Sequence, residues 1–335
     1  MSNGQPPYTI TPTIIRLISQ ISEQLGRLAV QEEKQSLRLR RINRIRTIQG
    51  SLAIEGNTLS EEQITAILDG KRVMAPPREI QEARNAIKAY EQFETWQAAN
   101  ENHLLNAHQI LMAGLIDDVG MYRSGNVGVM NGDVVVHMAP PAGRVNQLMG
   151  DLLTWLQSSD QHPLITSSVF HYEFEFIHPF ADGNGRMGRL WQTLILSQWN
   201  PLLAQLPVES MVHEHQSKYY QAINQSTNQA DSAPFIEFML GVILETIKNT
   251  PQVTPQVTPQ VKNLLGFLAK QTELQNRNQL QQGLSLKDRK SFRERYLKPA
   301  LEAGLVELTI PDKPNSRLQQ YRLTKLGKML AETFG

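Results

Sequence analysis

Residues 250–261 are three tandem copies of Thr-Pro-Gln-Val, and no other stretch constrains the fold as tightly. Proline at every fourth position removes a backbone donor each time and fixes φ near about −65°, so neither a regular helix nor a strand ladder can run through it. The segment reads as a semi-extended connector. It parts a long block from a short one, and each must bury a core of its own. With 335 residues there is chain enough for two or three such cores. The expected division is an N-terminal helical region over 1–100, a core block over 101–249, the linker 250–261, and a C-terminal module over 262–335.

Composition removes several kinds of chemistry. With no cysteine in the chain, disulfides, thiolate zinc sites and cysteine nucleophiles are excluded, which fits a reducing cytoplasm. No apolar run approaches the ~20 residues that span a bilayer, so no membrane partner is expected. The first residues, Met-Ser-Asn-Gly-Gln-Pro-Pro-Tyr, lack the basic start and apolar core of a secretory signal. Net charge is +1, so nucleic-acid affinity would have to come from a local patch.

Apolar spacing predicts a mainly α chain. Ile14, Leu17, Ile18, Ile21, Leu25 and Leu28 recur at threes and fours, giving a helix over 13–49 whose later part is basic at Arg38, Arg40, Arg41, Arg44 and Arg46. That basic run reads as a solvated face. At Ser51-Leu-Ala-Ile-Glu55-Gly56-Asn57, Gly56 is a natural residue to end a helix, and Ser60 with Gln63 forms a capping box for the next. Glu55 then sits at a helix C-terminus, where the dipole disfavours a carboxylate; it is either solvated or taken by a distant arginine. Further helices are expected over 78–98, 103–116, 145–158, 185–198, 213–226 and 233–248. Between Ile165 and Ile177 a helical stripe competes with the strand-like alternation of Tyr172, Phe174 and Phe176, and length favours helix. Val127 to Val136 is β-branched around Asn131-Gly132, a hairpin signal, read as a flap leaning on the helical body. Beyond the linker, helices over 261–271 and Ser285–Ala303, the latter with Lys287, Arg289, Lys290, Arg293, Arg295 and Lys298, precede strands at Leu305–Ile310 and Leu318–Leu323. That is a winged-helix arrangement, a form that often places a basic helix in the DNA major groove.

The densest chemistry lies in His178-Pro-Phe-Ala-Asp-Gly-Asn-Gly-Arg-Met-Gly-Arg189. A Gly-Asn-Gly turn can point backbone N–H groups at an anion, and a helix starting there adds its free donors and positive dipole end. Arg186 and Arg189 fall on one face beside that anion. Asp182 suits a hard cation shared with phosphate oxygens, and His178 suits a proton taken from a hydroxyl. Gly183, Gly185 and Gly188 also satisfy the dinucleotide fingerprint, with Glu209 at a suitable distance. No β-rich context surrounds them, so the Rossmann reading fails.

Residues 178–189 match every fixed position of the Fic signature, and Ser51–Asn57 resembles the inhibitory motif of the same family. The resemblance covers roughly 10–248. It implies a Fic-type helical bundle with a β-hairpin flap that begins at Gly120-Met-Tyr-Arg123, plus the C-terminal winged helix. It also implies transfer of AMP from ATP to a Ser, Thr or Tyr hydroxyl of a target protein. On this resemblance His178 is the base, Phe180 the anchor of the loop and Asp182 the Mg²⁺ ligand. Gly183, Asn184, Gly185, Arg186, Met187, Gly188 and Arg189 would hold the nucleotide, with Arg189 on the γ-phosphate. Gly185, where kinase relatives carry lysine, argues for AMP transfer. Tyr219 and Asn228 resemble the positions that frame the adenine, Tyr220 lies beside them, and Val127 and Met130 of the flap run alongside nucleotide and target. Glu55, with Ser51 and Asn57, would be inhibitory through a pair with Arg189. The same Glu55 would serve a hydrolase that removes AMP, and an ATP-sensing DNA-binding regulator is the other alternative. Expected partners are a target protein, the chain itself as target, a second copy, and DNA.

Overall fold

The computed structural model describes residues 5–32, 37–131, 134–249, 258–271, 273–286, 288–310, 316, 318–324, 327–328 and 331, with side chains at 29–39, 129–137 and 302 left aside. Two compact units emerge: residues 1–30 with 40–250, and residues 31–39 with 251–335.

In the first unit the helices are α1 (Pro12–Glu32), α2 (Leu37–Ile54), α3 (Glu61–Leu68), α4 (Pro77–Gln92) and α5 (Glu101–Leu111). A hairpin follows, β1 (Gly128–Asn131) and β2 (Val134–Met138), then α6 (Val145–Ser158), α7 (Pro163–Ile177), α8 (Asn184–Trp199), α9 (Val208–Glu214), α10 (Gln216–Gln229) and α11 (Ala233–Asn249). The expected helix over 13–49 is thus two elements, and 33–36 lie outside the described residues. Another expected helix, 213–226, is also two, because the chain breaks at His215, whose φ of −107 and ψ of 26 leave the α region.

The ambiguous 165–177 is helical. Pro163 stands at N1, where its missing N–H costs nothing, and the His162 imidazole caps the Leu164 N–H at 3.2 Å. Strand-like alternation loses because α7 is buried nearly all round and packs on α8, burying Phe170, Phe174, Trp191 and Leu194 in one core. The hairpin pairs antiparallel, Gly128 opposite Met138, with a register shift between Val129 and Met130; its turn, 132–133, is not among the described residues.

Both end signals around Gly56 appear as read. Gly56 takes φ +86, and Ser60 and Gln63 form the reciprocal capping box of α3. The basic face of α2 is partly paired: Arg41 with Asp69, and Arg46 with Glu61 at 3.5 Å, both across to α3. A Cβ on Gly50 would come within 2.5 Å of the Ser210 backbone, so its absence lets α2 lie against the start of α9.

In the second unit α12 (Pro259–Ala269), β3 (Gln275–Asn276), α13 (Arg277–Gly283), α14 (Arg289–Phe292), a π turn (Arg293–Leu297), α15 (Lys298–Glu302), β4 (Val306–Leu308) and β5 (Gln320–Leu323) follow in order. The strands form an antiparallel sheet ordered β3-β5-β4 over a core of Leu264, Leu265, Leu280, Phe292 and Tyr321. Neither β3 nor α13 was expected, and the expected helix 285–303 is shorter and interrupted by the π turn. The last Thr-Pro-Gln-Val copy is not connector. Thr258 caps α12 through Val261 N–H at 3.3 Å, Pro259 takes N1, and Val261 is buried.

Candidate active site

The site is built where α7 ends and α8 begins. His178 stops α7 in a left-handed conformation, φ 51 and ψ 61, its N–H still bonded to Phe174 O at 2.9 Å. Such a conformation costs a non-glycine residue about 1–3 kcal/mol, so the surroundings must enforce it. Arg123 is the visible enforcer. Its buried guanidinium donates to four carbonyls: His178 at 2.7 Å, Pro140 at 2.6 Å, Gly125 at 2.8 Å and Ile177 at 3.2 Å. The Arg123 N–H adds Pro179 O at 2.9 Å.

The loop that follows is pinned from three sides. Phe180 is fully buried and stacks on His108 with ring centroids 3.7 Å apart. His108 Nδ1 accepts the Gly120 N–H at 2.9 Å, which leaves Nε2–H to donate to Asp182 O at 3.1 Å. Burial brings this imidazole down to about 4, and the Arg186 charge pushes the same way, so it is neutral at pH 7. The Asn184 amide brackets Phe180, accepting its N–H and donating to its carbonyl, each at 2.9 Å.

Gly183 precedes α8 with φ +84, and a Cβ there would strike Met112 Sδ at 2.6 Å. Its N–H goes to Asp182 Oδ1 at 2.6 Å, and its carbonyl takes the Met187 N–H at 3.0 Å. Among the described residues this leaves the N–H groups of Asn184, Gly185 and Arg186 as open donors at a helix N-terminus.

Glu55 stands in front of those donors. A Cβ on Gly185 would lie 2.4 Å from Glu55 Oε1 and 2.9 Å from Arg189 Nη1, so only glycine admits this contact. Arg189 is buried, donating to Glu55 Oε1 at 2.7 Å, to Ser51 O at 3.0 Å and to Ser51 Oγ at 3.2 Å. Burial works against its charge, but Glu55, with Tyr219 and Glu175, reverses that and holds the guanidinium above its ordinary value. Asn57 does not touch this pair. It ties the turn after α2 to α4, donating to Glu82 Oε2 at 2.9 Å and to Glu79 O at 3.2 Å.

Asp182 is half exposed. Its Oδ2 lies 3.4 Å from Arg78 and its Oδ1 3.4 Å from Arg186. Arg186 is buried, yet its Nε and Nη1 have no hydrogen-bond partner among the described residues.

Three expected site residues are packed into the helical body. Met187 has a fully buried side chain, and its N–H closes the first turn of α8 on Gly183 O. Gly188 lies inside α8 against His171 and Glu175. Tyr219 is a core ring: its hydroxyl meets His171 Nε2 at 3.0 Å, and the exposed tyrosine of the pair is Tyr220. Asn228 is exposed near the end of α10, Val127 is half-buried, and Met130 lies in β1 outside the described side chains. Glu209, rejected as a ribose acid, is buried and bonds Thr193 and Tyr90 at 2.7 and 3.3 Å. Sequence reasoning gave no site role to Arg123, His108, Arg78 or Glu82; Arg123 was noted only within the flap segment, and His108 had the signal of a histidine on the apolar stripe of α5.

Fold and site together define a helical protein with an anion-type helix terminus closed by an intramolecular carboxylate. Comparison with known proteins places the fold in a family. Residues 98–196 match the Fic/DOC family model, and residues 259–324 match that of the Fic-like C-terminal domain. A Fic family protein from Desulfovibrio desulfuricans, solved crystallographically, is 54% identical, with 96% of this chain and 98% of that one covered and a TM-score of 0.73. The chain belongs to the Fic family. The protein adenylyltransferase Fic of Aedes aegypti is 30% identical over 207 residues, 58% of this chain and 39% of that protein. The chain thus spans about two fifths of the length of such curated relatives. Fic-1 of Caenorhabditis elegans, 21% identical with a TM-score of 0.55, shares the fold.

Proposed function

We propose that the protein transfers AMP from ATP to a Ser, Thr or Tyr hydroxyl of a protein target and that Glu55 holds it in a resting state. The observation that carries this is the Glu55 carboxylate seated on Arg189 against Gly185, where an anion bound to the helix terminus would sit. The matched relatives named protein adenylyltransferase support the reaction class.

The open N–H groups of Asn184, Gly185 and Arg186 would receive phosphate oxygens, and the bare Nε and Nη1 of Arg186 would add two more donors. Arg189, freed from Glu55, would take the terminal phosphate as a fork. His178, held by the Arg123 clamp, would accept the target's hydroxyl proton. The hydroxyl oxygen then bonds the α-phosphorus as the bond to pyrophosphate breaks, and the proton remains on the imidazole. Among the described residues no group of three His, Asp or Glu could cage a metal, whereas the half-exposed Asp182, whose Oδ2 meets only the exposed Arg78 at 3.4 Å, would supply the one carboxylate that suffices for Mg²⁺ shared with phosphates. Such an ion would neutralise phosphate charge there.

The test uses Mg²⁺ with ATP labelled at the α-phosphate. Glu55→Gly should label protein roughly 10- to 100-fold faster than the parent, as for a coupling of about 1–3 kcal/mol. Adding His178→Ala should abolish the label. No label from Glu55→Gly on itself or on lysate protein would sink the proposal.

A second reading concerns the C-terminal unit, which we take as a winged helix that binds DNA. Arg289, Lys290 and Arg295 are exposed and make no ion pair among the described residues, while Glu294 is engaged by Arg293 and Lys298. In the full chain, replacing these three with glutamate should weaken DNA binding and flatten its salt dependence by about 0.9 for each phosphate no longer neutralised. An unchanged salt slope would refute it.

A further inference from the structure

Glu82, on the second turn of α4, belongs to no motif of the sequence, yet it lies beside Arg186 of the phosphate loop and beside Arg78, which itself reaches Asp182. Its Oε2 accepts from Asn57 Nδ2 at 2.9 Å. Its Oε1 lies 3.4 Å from Arg78 Nε and 3.6 Å from Arg186 Nη1. Arg78 and Arg186 in turn each lie 3.4 Å from Asp182, so two carboxylates and two guanidinium groups alternate around a ring.

The burial of these groups is uneven. Arg186 and Glu82 are largely enclosed, with side chains 5% and 11% exposed. Arg78 and Asp182 are 59% and 43% exposed and free to exchange partners. A buried guanidinium needs a fixed counter-charge to remain in place. At 3.6 Å, Glu82 supplies charge without taking a hydrogen from Nη1, which, with Nε, stays unbonded. Asp182 cannot hold that post once a cation and phosphates compete for it, and Glu82 can.

We propose that Glu82 is a positioning residue that aims the Nε and Nη1 donors of Arg186 at the phosphates. This rests on the AMP-transfer reading above. Glu82 touches no substrate; its effect passes through Arg186. Because the same carboxylate holds Asn57, it also joins the turn that carries Glu55 to the arginine that meets phosphate.

The experiment is run in the active Glu55→Gly protein. Glu82→Gln keeps the shape and an oxygen for Asn57 but removes the charge. It should lower kcat roughly 10- to 100-fold, the cost of a misaimed group, with KM for ATP changed less than about threefold. Glu82→Asp should recover part of the loss. Combined with Arg186→Lys, Glu82→Gln should cost nothing further, because the two act as one unit. The ³¹P resonances of bound ATP give a readout that needs no turnover: Glu82→Gln should displace them, and should displace nothing in the Arg186→Lys protein. Unchanged kcat and resonances, losses that add, or a rise in KM alone would each overturn the proposal. Should Glu55→Gly bind ATP without transferring label, the AMP-transfer reading fails and the resonances still decide the role of Glu82. Absence of bound ATP from Glu55→Gly would overturn both.

Discussion

Glu173 lies on α7 two residues from Glu175, and the two carboxyls meet different surroundings. Burial pushes Glu173 up to about 7 from its ordinary 4.5. Between those values the folded protein keeps a proton that the unfolded chain releases, so this residue's contribution to stability is full below pH 4.5 and is lost as pH rises through 7. Glu173→Gln removes the ionisation. Its gain in Tm over the parent should be larger at pH 8 than at pH 4.5, by an amount equivalent to about 3 kcal/mol at most. Equal gains at both pH values in thermal melts would contradict the assignment. Arg123 makes a related point: its value lies in four main-chain acceptors, two of which come from the end of α7.

At the scale of elements, the turn from α2 to α3 decides whether Glu55 stays on Arg189. Besides the C-terminus of α2, the turn is held to α4 by the Asn57 amide and by Thr58, whose N–H and hydroxyl donate to Glu79 Oε2 at 2.7 and 2.8 Å, and to the core by buried Leu59. Asn57 also accepts the Leu59 N–H at 3.0 Å within the turn. Asn57→Ala removes all three bonds while leaving Glu55 and Arg189 intact. It should raise the transfer rate by a smaller factor than Glu55→Gly, at a stability cost of about 1–3 kcal/mol. A labelling assay beside a urea melt checks both, and a destabilised variant with unchanged labelling would show that the turn does not gate the site. Gly183 shows the opposite economy: its φ and the Met112 contact leave no room for a side chain.

For the whole molecule, two separate cores predict two separable responses to damage. All four tryptophans, Trp96, Trp155, Trp191 and Trp199, belong to the Fic unit, so their fluorescence reports that unit alone. Phe292 is fully buried in the other core. Phe292→Ala should cost that core about 3–5 kcal/mol. Calorimetry should then show an early transition while the tryptophan-monitored midpoint stays within a degree or so of the parent's. A joint shift of both would show that the units unfold as one.

The sequence by itself determined the helices with clear periodicity, the ends around Gly56 and Ser60, the hairpin, and the loop from His178 to Arg189, because each is written in neighbours within a few positions. Family resemblance added the partnership of Glu55 with Arg189, and the structure gave it a distance and a glycine that permits it. Family resemblance set Met187 and Tyr219 beside the nucleotide, and only the packing shows that both side chains lie in the core. Arg78 and Glu82 carried no signal, Arg123 was visible only as part of the flap segment, and His108 only as a histidine on an apolar stripe. Their partners lie on other elements, at sequence separations such as the 55 residues from Arg123 to His178 and the 104 from Arg78 to Asp182, and no local spacing encodes which distant carbonyl or charge a side chain will meet. The loop could be read from the sequence as suited to phosphate. That a carboxylate already occupies its front, and that a second one stands behind its first arginine, was decided by the tertiary structure.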